Sequence, residues 1–186
     1  MINLCFTFED SRNYYFIYKY AEPYLFEGDQ IMHNTRARGR DLLDALDHIA
    51  QYANVLHPLT EYNVLQKDGQ LKLSLFDVKA DEVYSQCLFA DITCHPPEYL
   101  EKNEYNAKSL VWFLGIIIYM LQFKENPFFV GTQTEVRDAI LNKEPTLMPY
   151  YNKDFIELVK RLLAKNPDER PNFDSIKNDR FFKLKY

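Results

Sequence analysis

The sequence predicts an α+β fold in which helices dominate and most strands precede most helices. Two short runs rich in aromatic and β-branched residues open the chain, at residues 4–8 and 14–20. The second half instead places apolar residues at helical spacing between prolines. This segregation, in a chain of 186 residues, is typical of one α+β unit, so we expect a single domain over residues 1–186.

The two opening runs predict a β-hairpin, because the turn-forming segment EDSRN separates them. The pattern then turns helical near Tyr24 and breaks over the polar, glycine-containing residues 34–40. Helical spacing of apolar residues resumes over 42–52, with Asp41 as a plausible cap.

A second hairpin is predicted between residues 63–65 and 71–75, because the intervening Asp68-Gly69 pair favours a tight turn. Residues 78–97 show no sustained period and predict a loop. Four further helices are predicted over residues 109–123, 134–141, 154–164 and 173–178.

Composition and charge argue against several classes of partner. The net charge of −5 provides no general attraction to nucleic acid or to an anionic membrane. Three arginines, Arg36, Arg38 and Arg40, form the one basic cluster, and their position beside Gly39 favours a solvated turn over a phosphate site.

The cysteines and the apolar segments bear on location. Cys5, Cys87 and Cys94 form no CxxC pair, so we expect neither a disulfide framework nor a zinc site. A protein without disulfides fits a reducing compartment. No secretory signal opens the sequence, and the apolar run at 111–121 is too short to span a bilayer. We expect a cytoplasmic protein, with the cytoskeleton and a cilium or flagellum as its candidate locations.

Four motifs follow one another in the second half: PPEYL at 96–100, SLVWFLGIIIYML at 109–121, NPF at 126–128 and LLAKNPDERP at 162–171. In this order and spacing they resemble the APE motif, the buried DxWxxG helix, the PF turn and the LLxxDPxxRP signature of the protein-kinase C-lobe. HPLTEYNVLQKDGQLKLSLFDVKA at 57–80 resembles the segment from the catalytic loop to the metal-binding loop.

The resemblance covers nearly the whole chain, and its details are closest to AGC kinases of the phosphoinositide-dependent sort. It implies a protein-kinase-like fold that lacks most of the N-lobe and keeps a mainly helical C-lobe. Residues 1–22 would be remnant N-lobe strands and hinge, and residues 23–186 the C-lobe. The chain would then be a truncated kinase domain.

Four residues are candidates for holding this lobe together. Glu98 and Arg170 stand in otherwise apolar or turn contexts, and a buried carboxylate is tolerated when a guanidinium pairs with it bidentately. The resemblance implies the same pair; the alternative is that both are surface charges. Trp112 and Gly115 lie in a wholly apolar helix that must be buried.

The residues that transfer phosphate look altered. Phosphoryl transfer needs a clamp on the nucleotide, a carboxylate on magnesium and a base for the substrate hydroxyl. With five glycines the chain has no GxGxxG loop. In the kinase catalytic loop, HRDxxxxN, the base lies five residues before the asparagine, which is the position of Pro58 if Asn63 is that asparagine. Thr60 then takes the place of the usual lysine, and the loop between His57 and Asn63 is one residue short. Proline cannot accept a proton.

The metal-binding DFG is replaced by Leu75-Phe76-Asp77, which puts an apolar side chain where magnesium needs an oxygen ligand. Asn63 with the displaced Asp77 would supply too few charged ligands. Glu61 is the only carboxylate of the catalytic loop, but it is out of register and is more simply a solvated loop acid.

Positions that would support the chemistry are altered too. Leu110 replaces the DxWxxG aspartate, which in kinases hydrogen-bonds the catalytic-loop backbone. Ala90, Asp91 and Cys94 replace residues that position the peptide substrate. We therefore expect no catalytic, cofactor-binding or metal-binding residues, no binding of ATP, and a chain that is not an enzyme.

Three functions remain open. The first is an inactive pseudokinase that acts as a structural scaffold in a larger protein assembly, through the aromatic residues of the opening hairpin. The second is a regulatory protein that binds an active kinase or its substrate, and the third a residual nucleotide-binding enzyme. The candidate interface residues are Phe6, Phe8, Tyr14, Phe16 and Tyr18.

Overall fold

The computed structural model describes residues 4–9, 14–18, 20–24, 35–52, 56–74, 90–147 and 151–183. Its strands are β1 (Leu4–Glu9), β2 (Tyr14–Tyr18), β3 (Glu22–Pro23), β4 (Val64–Lys67) and β5 (Gln70–Leu73). Its helices are α1 (Thr35–Tyr52), α2 (Ala90–Thr93), α3 (Pro97–Lys102), α4 (Ala107–Phe123), α5 (Gln133–Asn142), α6 (Lys153–Leu162), α7 (Phe173–Lys177) and α8 (Arg180–Lys183). The predicted mainly helical α+β class is confirmed.

The described strands form two antiparallel sheets. Strands β1 and β2 pair with each other, and β3, β4 and β5 form the second sheet in that order. The turn between β4 and β5 places Asp68 at φ 51° and Gly69 at φ 77°. Two successive positive φ angles are what a two-residue hairpin turn needs. The pairing of β1 with β2 and of β4 with β5 confirms both predicted hairpins.

Helix α1 begins earlier than predicted. The expected break over residues 34–40 is wrong, because the helix runs continuously from Thr35. Gly39 lies against another element: a Cβ built there would come within 3.2 Å of the Phe182 ring and 3.5 Å of Ile118. Tertiary packing on this small residue outweighs its weak helix propensity.

The arginine cluster accordingly lies on a helix and is not a solvated turn. Arg36 and Arg38 are half-buried, and the Arg36 guanidinium lies 5.1 Å from the centre of the Phe181 ring. Asp41 is not a cap either, since its carboxylate accepts a hydrogen bond from the N–H of Leu71 at 3.0 Å.

The structure also differs from the expected helix near Tyr24 and from the expected loop over residues 78–97. Tyr24 is not helical; its N–H donates to the Val64 carbonyl at 3.0 Å, which extends the β3–β4 pairing, while residues 25–34 lie outside the description. The predicted loop over 78–97 is wrong from residue 90 onward, because α2 intervenes before α3 begins on Pro97. Proline suits a first helical turn, where its missing N–H costs nothing.

Helix α4 is the centre of the core. Most of its residues are fully buried, and it packs between α1 and α6. An Asn106–Ser109 capping box starts it, and Lys124 ends it with a left-handed φ of 61°. The predicted helices from residue 109 onward are confirmed, with ends that shift by one or two residues.

Within the described parts of the chain, no helix is both long and apolar enough to cross a membrane.

Candidate functional site

A buried ion pair joins α3 to the segment that follows α6. Glu98, in the first turn of α3, is 5% exposed, and Arg170, after the 3₁₀ turn Pro167–Glu169, is 1% exposed. Arg170 Nη1 donates to Glu98 Oε1 and Nη2 donates to Glu98 Oε2, both at 2.8 Å. The geometry is the bidentate fork that makes such pairs strong.

Backbone carbonyls satisfy the rest of the guanidinium. Arg170 Nε donates to the Ala164 carbonyl at 2.8 Å, Nη1 also to that of Lys108 at 2.9 Å, and Nη2 to that of Lys165 at 3.3 Å. All five N–H groups of the side chain thus have acceptors. This completeness is what makes a buried charge tolerable.

The carboxylate has a third donor. Ser109 Oγ, in the first turn of α4, donates to Glu98 Oε1 at 2.7 Å. Burial alone would raise the pKa of Glu98, but the hydrogen bonds and charge of Arg170, together with Ser109, hold it below its ordinary value. The pair is therefore ionised at neutral pH.

Trp112 lies beside this pair in an aromatic stack. Its ring is parallel to that of Phe128, with centroids 5.3 Å apart, and the Arg170 guanidinium lies 5.0 Å from the Trp112 ring centre. Trp112 therefore connects the ion pair to the Pro127-Phe128 turn. Its role in this position is packing, since the ring is fully buried.

Lys165 adds a second cation to the stack. Its Nζ lies 4.1 Å from the Phe128 ring centre and donates to the Ile140 carbonyl at 2.6 Å, near the C-terminal end of α5. A cation is favourable at a helix C-terminus and over an aromatic face. Burial nevertheless lowers the pKa of Lys165 to about 8.

This pKa predicts a pH dependence of stability. The folded-state pKa of about 8 lies below the ordinary lysine value of 10.5, so between these values the unfolded chain binds more protons. Wild-type stability should therefore rise from pH 8 to pH 10.5 relative to a Lys165→Met variant, which has no amine there. Urea unfolding of both proteins across this range measures the difference; parallel curves would contradict the prediction.

The catalytic-loop segment is held by its own asparagine. Asn63 ends the 3₁₀ turn Glu61–Asn63 and is 7% exposed. Its Oδ1 accepts hydrogen bonds from Thr60 N at 2.8 Å and Thr60 Oγ1 at 3.3 Å, and its Nδ2 donates to the Ser74 carbonyl at 2.9 Å. Both ends of the amide thus shape the loop.

Glu61 is not simply a solvated loop acid. Its Oε2 accepts a hydrogen bond from Cys94 Sγ at 3.1 Å, and Cys94 is 1% exposed. Burial, and then the charge of Glu61, raise the pKa of the Cys94 thiol, so it stays protonated and donates. The contact ties the catalytic loop to the segment before Pro96.

Sequence reasoning missed one loop contact. Leu110 is buried and cannot replace the hydrogen bond of an aspartate at its position. Tyr105 Oη instead accepts a hydrogen bond from the Leu59 N–H at 3.4 Å, and burial raises the pKa of this phenol. The sequence offered one sign of this contact, namely that Tyr105 stands four residues before the motif that begins at Ser109.

The structure leaves other predicted positions untested. Leu75, Phe76, Asp77 and Cys87 lie outside the described residues. The side chains of Cys5, Ala90 and Asp91 are not described either. Pro58 is half-buried beside an exposed His57. Among the residues that are described, no group of three or more His, Cys, Asp or Glu side chains could hold a metal ion.

The candidate interface residues occupy both faces of the β1–β2 ladder. The register pairs Phe6 with Ile17 and Phe8 with Tyr15, whereas Phe16 pairs with Thr7. Directly paired residues share a face and successive residues alternate. Phe6 and Phe8 are therefore placed on one face, and Tyr14, Phe16 and Tyr18 alternate onto the other.

The chain is similar to known proteins along residues 1–182. The family model for the protein kinase domain matches residues 1–182. Relatives include serine/threonine-protein kinase Nek1 of Mus musculus, 27% identical over 91% of this chain and 15% of its own length. Another is cAMP-dependent protein kinase type 3 of Saccharomyces cerevisiae, 25% identical over 91% of this chain and 45% of its length.

A third relative, a probable serine/threonine-protein kinase of Dictyostelium discoideum, is 29% identical over 76% of this chain and 22% of its own length. The chain thus spans less than half the length of each of these three relatives. Activities of the whole relatives remain proposals for this chain.

These names correct one expectation. We expected a chain that is not an enzyme, whereas the relatives are named as serine/threonine-protein kinases, which points to an enzyme. The expectation relied on residue types at a few positions such as Pro58, in a loop whose register is shifted by a missing residue. Because the family model covers residues 1–182, this chain belongs to the protein kinase family.

Proposed function

We propose that this kinase-family chain acts as a scaffold that binds another protein within a larger, cytoskeletal or axonemal assembly. The observation that carries the proposal is the separate β1–β2 sheet. No other described strand pairs with either of its strands, so each has an outer edge without a described neighbour. Unpaired edges are templates on which a strand from another chain can add.

The helical region supports this role as a rigid base. The Glu98–Arg170 pair joins α3 to the segment after α6, and both side chains are buried. Helix α4 fixes the core between α1 and α6.

The test uses one variant for each face of the hairpin. Phe6→Ser with Phe8→Ser changes one face, and Tyr14→Ser with Phe16→Ser changes the other. We expect one pair to abolish capture of the partner from cytoskeletal extract with the melting temperature unchanged. The other pair should lower the melting temperature, because one face of a small sheet must pack on its own chain.

Capture alone does not establish the interface. Cross-linking mass spectrometry must place the captured protein against residues 4–18, and a soluble extract serves as the comparison. If both variants capture the partner as the wild type does, the hairpin is not the interface and the proposal fails. Cross-links confined to an active kinase would favour the regulatory function instead.

Phosphotransfer to serine or threonine is a second candidate, and the names of the relatives favour it. In this case Glu61 is the residue to test as the proton acceptor, because it is the only carboxylate in residues 57–63. Its bond to Cys94 holds it within the loop. General-base catalysis contributes roughly 10²–10⁴-fold to a rate.

Transfer of the labelled γ-phosphate of ATP to a mixed serine/threonine peptide library tests this candidate. If the chain is a kinase that uses Glu61, Glu61→Gln should lower the rate by about 10²-fold or more. Glu101→Gln, an exposed acid on α3, is the matched control and should keep the rate. Absence of any transfer by the wild type would remove this candidate.

A further inference from the structure

A cavity of about 360 Å³ lies where the β4–β5 turn meets the residues that lead into β3. Its lining consists of seven described residues from two short segments, 20–22 and 66–69. The segments are adjacent because Glu22 pairs with Gln66 in the β3–β4 ladder. The volume falls within the range of small-ligand sites, roughly 300–1,000 Å³. The side chains of the lining determine which ligand the cavity suits.

Tyr20 supplies an aromatic ring to this cavity. The residue is 77% exposed, so its ring is available to a ligand. Lys67 Nζ donates to the Tyr20 carbonyl at 2.9 Å, and this bond holds the backbone that carries the ring. The face of an aromatic ring attracts cations.

Two carboxylates line the same cavity. Glu22 and Asp68 are both exposed, and neither forms an ion pair with a described cation. Two acids, together with Lys67, give the lining a formal charge of −1. A ligand with one positive charge would neutralise this lining.

The turn beside the cavity leaves room for a ligand. Asp68 and Gly69 form this turn at φ 51° and 77°. A Cβ built on Gly69 would meet no atom of the described residues within 4 Å. Among those residues, nothing fills the space beside the turn.

From this combination of aromatic ring, two carboxylates and negative charge we propose that the cavity binds a guanidinium group. A guanidinium is planar, so it stacks on an aromatic face and pairs with carboxylates through its fork of N–H donors. Tyr20 would provide the face, while Glu22 and Asp68 would accept hydrogen bonds. The same chemistry serves an arginine side chain of another protein and a free guanidinium compound. The proposal does not depend on the scaffold function.

NMR titration of the full chain with a capped glycine–arginine–glycine tripeptide tests the proposal. The control tripeptide carries citrulline, which has nearly the shape of arginine but no charge. We expect saturable shifts of the backbone amides of residues 20–22 and 66–69 with the arginine peptide. Binding of the citrulline peptide should be about tenfold weaker or more, because its hydrogen bonds are no longer charge-assisted. Equal affinity for the two peptides would overturn the proposal.

Tyr20→Ser tests the aromatic contact, and Tyr52→Ser is its matched control. Tyr52, at the end of α1, is similarly exposed at 70% but does not line the cavity. Loss of a cation–π contact at an exposed site should weaken binding about two- to fivefold. The control should bind as the wild type does. If both variants bind with the same affinity, the ring plays no part and the proposal fails.

A double variant, Glu22→Gln with Asp68→Asn, tests the carboxylates. Asparagine tolerates the positive φ of the turn, so the substitution suits the backbone. Removal of both charges should weaken binding about tenfold or more. Glu101→Gln with Glu104→Gln changes two exposed acids outside the cavity and should bind as the wild type does. Equal affinities of the two double variants would contradict the proposed site.

A second arm identifies the source of the guanidinium. Ethylguanidinium chloride is titrated beside the arginine tripeptide at equal concentration and ionic strength. Binding of the tripeptide assigns the cavity to an arginine of a partner protein. Binding of ethylguanidinium alone assigns it to a free guanidinium compound, and binding of neither overturns the proposal.

Discussion

Replacing Arg170 with alanine should destabilise the protein by about 3–5 kcal/mol. The substitution removes every N–H donor that Arg170 gives to Glu98 and leaves a carboxylate that is 5% exposed. The Ser109 hydroxyl would still donate to this carboxylate. Because small domains are stable by roughly 5–15 kcal/mol, the loss is a large share of the total.

Urea unfolding followed by circular dichroism measures this loss, and Lys143→Ala is its control. Lys143 also pairs with an aspartate, Asp138, but the two side chains are 59% and 50% exposed. Exposed pairs contribute about 0–1 kcal/mol, so the control should unfold close to the wild type. Equal midpoints for Arg170→Ala and Lys143→Ala would show that the buried pair does not stabilise the fold.

The same variant has a distinct response to pH. In the wild type the pKa of Glu98 is lowered, so its contribution is present above the ordinary value of 4.5 and is lost as the pH falls through the folded-state pKa. Without Arg170 the two largest influences that lower the pKa of Glu98 are lost, while burial, which raises it, remains. Acidification toward pH 5 should then narrow the stability gap between variant and wild type.

The sequence located this pair because charges in apolar surroundings need partners. Glu98 and Arg170 lie 72 residues apart, yet their motifs indicated both. The carbonyls of Ala164, Lys108 and Lys165 could not be predicted, because every residue has a carbonyl and only the tertiary path brings these three together. Motifs identify side chains, whereas backbone acceptors depend on the assembled fold.

The start of α1 shows a different limit. Residues 34–40 are polar and contain a glycine, which in isolation favours a break over a helix. The helix forms because this segment packs against Phe182 and Ile118, residues far along the chain that lie next to Gly39. Local propensity was correctly assessed but was outweighed by packing that no local window contains.

The catalytic loop shows a third limit. A missing residue shifts its register, so the position of each side chain cannot be counted from the motif alone. Counting positions from the motif led us to expect Glu61 to be a solvated loop acid, whereas its carboxylate accepts a hydrogen bond from Cys94. The Leu110 position led us to expect lost support for the loop, whereas Tyr105 bonds its backbone from another direction.

Gly115→Ala should destabilise the protein by about 1–3 kcal/mol, the cost of adding a methyl group to a packed core. A Cβ at this position in α4 would lie 2.9 Å from Leu162 Cβ and 2.8 Å from Leu163 Cδ2. The Leu162 Cβ is fixed by its backbone, so α4 and α6 would have to separate. The higher helix propensity of alanine, about 1 kcal/mol, offsets only part of this cost.

Gly39→Ala is the matched control, since it makes the same substitution inside another packed helix. A Cβ there would meet the edge of the Phe182 ring at 3.2 Å, so this ring would have to shift by only a few tenths of an ångström. Its strain is smaller and the gain in helix propensity is the same, so Gly39→Ala should unfold close to the wild type in urea. If both variants lose equal stability, helix separation at Gly115 is not the cause. A loss confined to Gly115→Ala would show that contact between the backbones of α4 and α6 holds this lobe together.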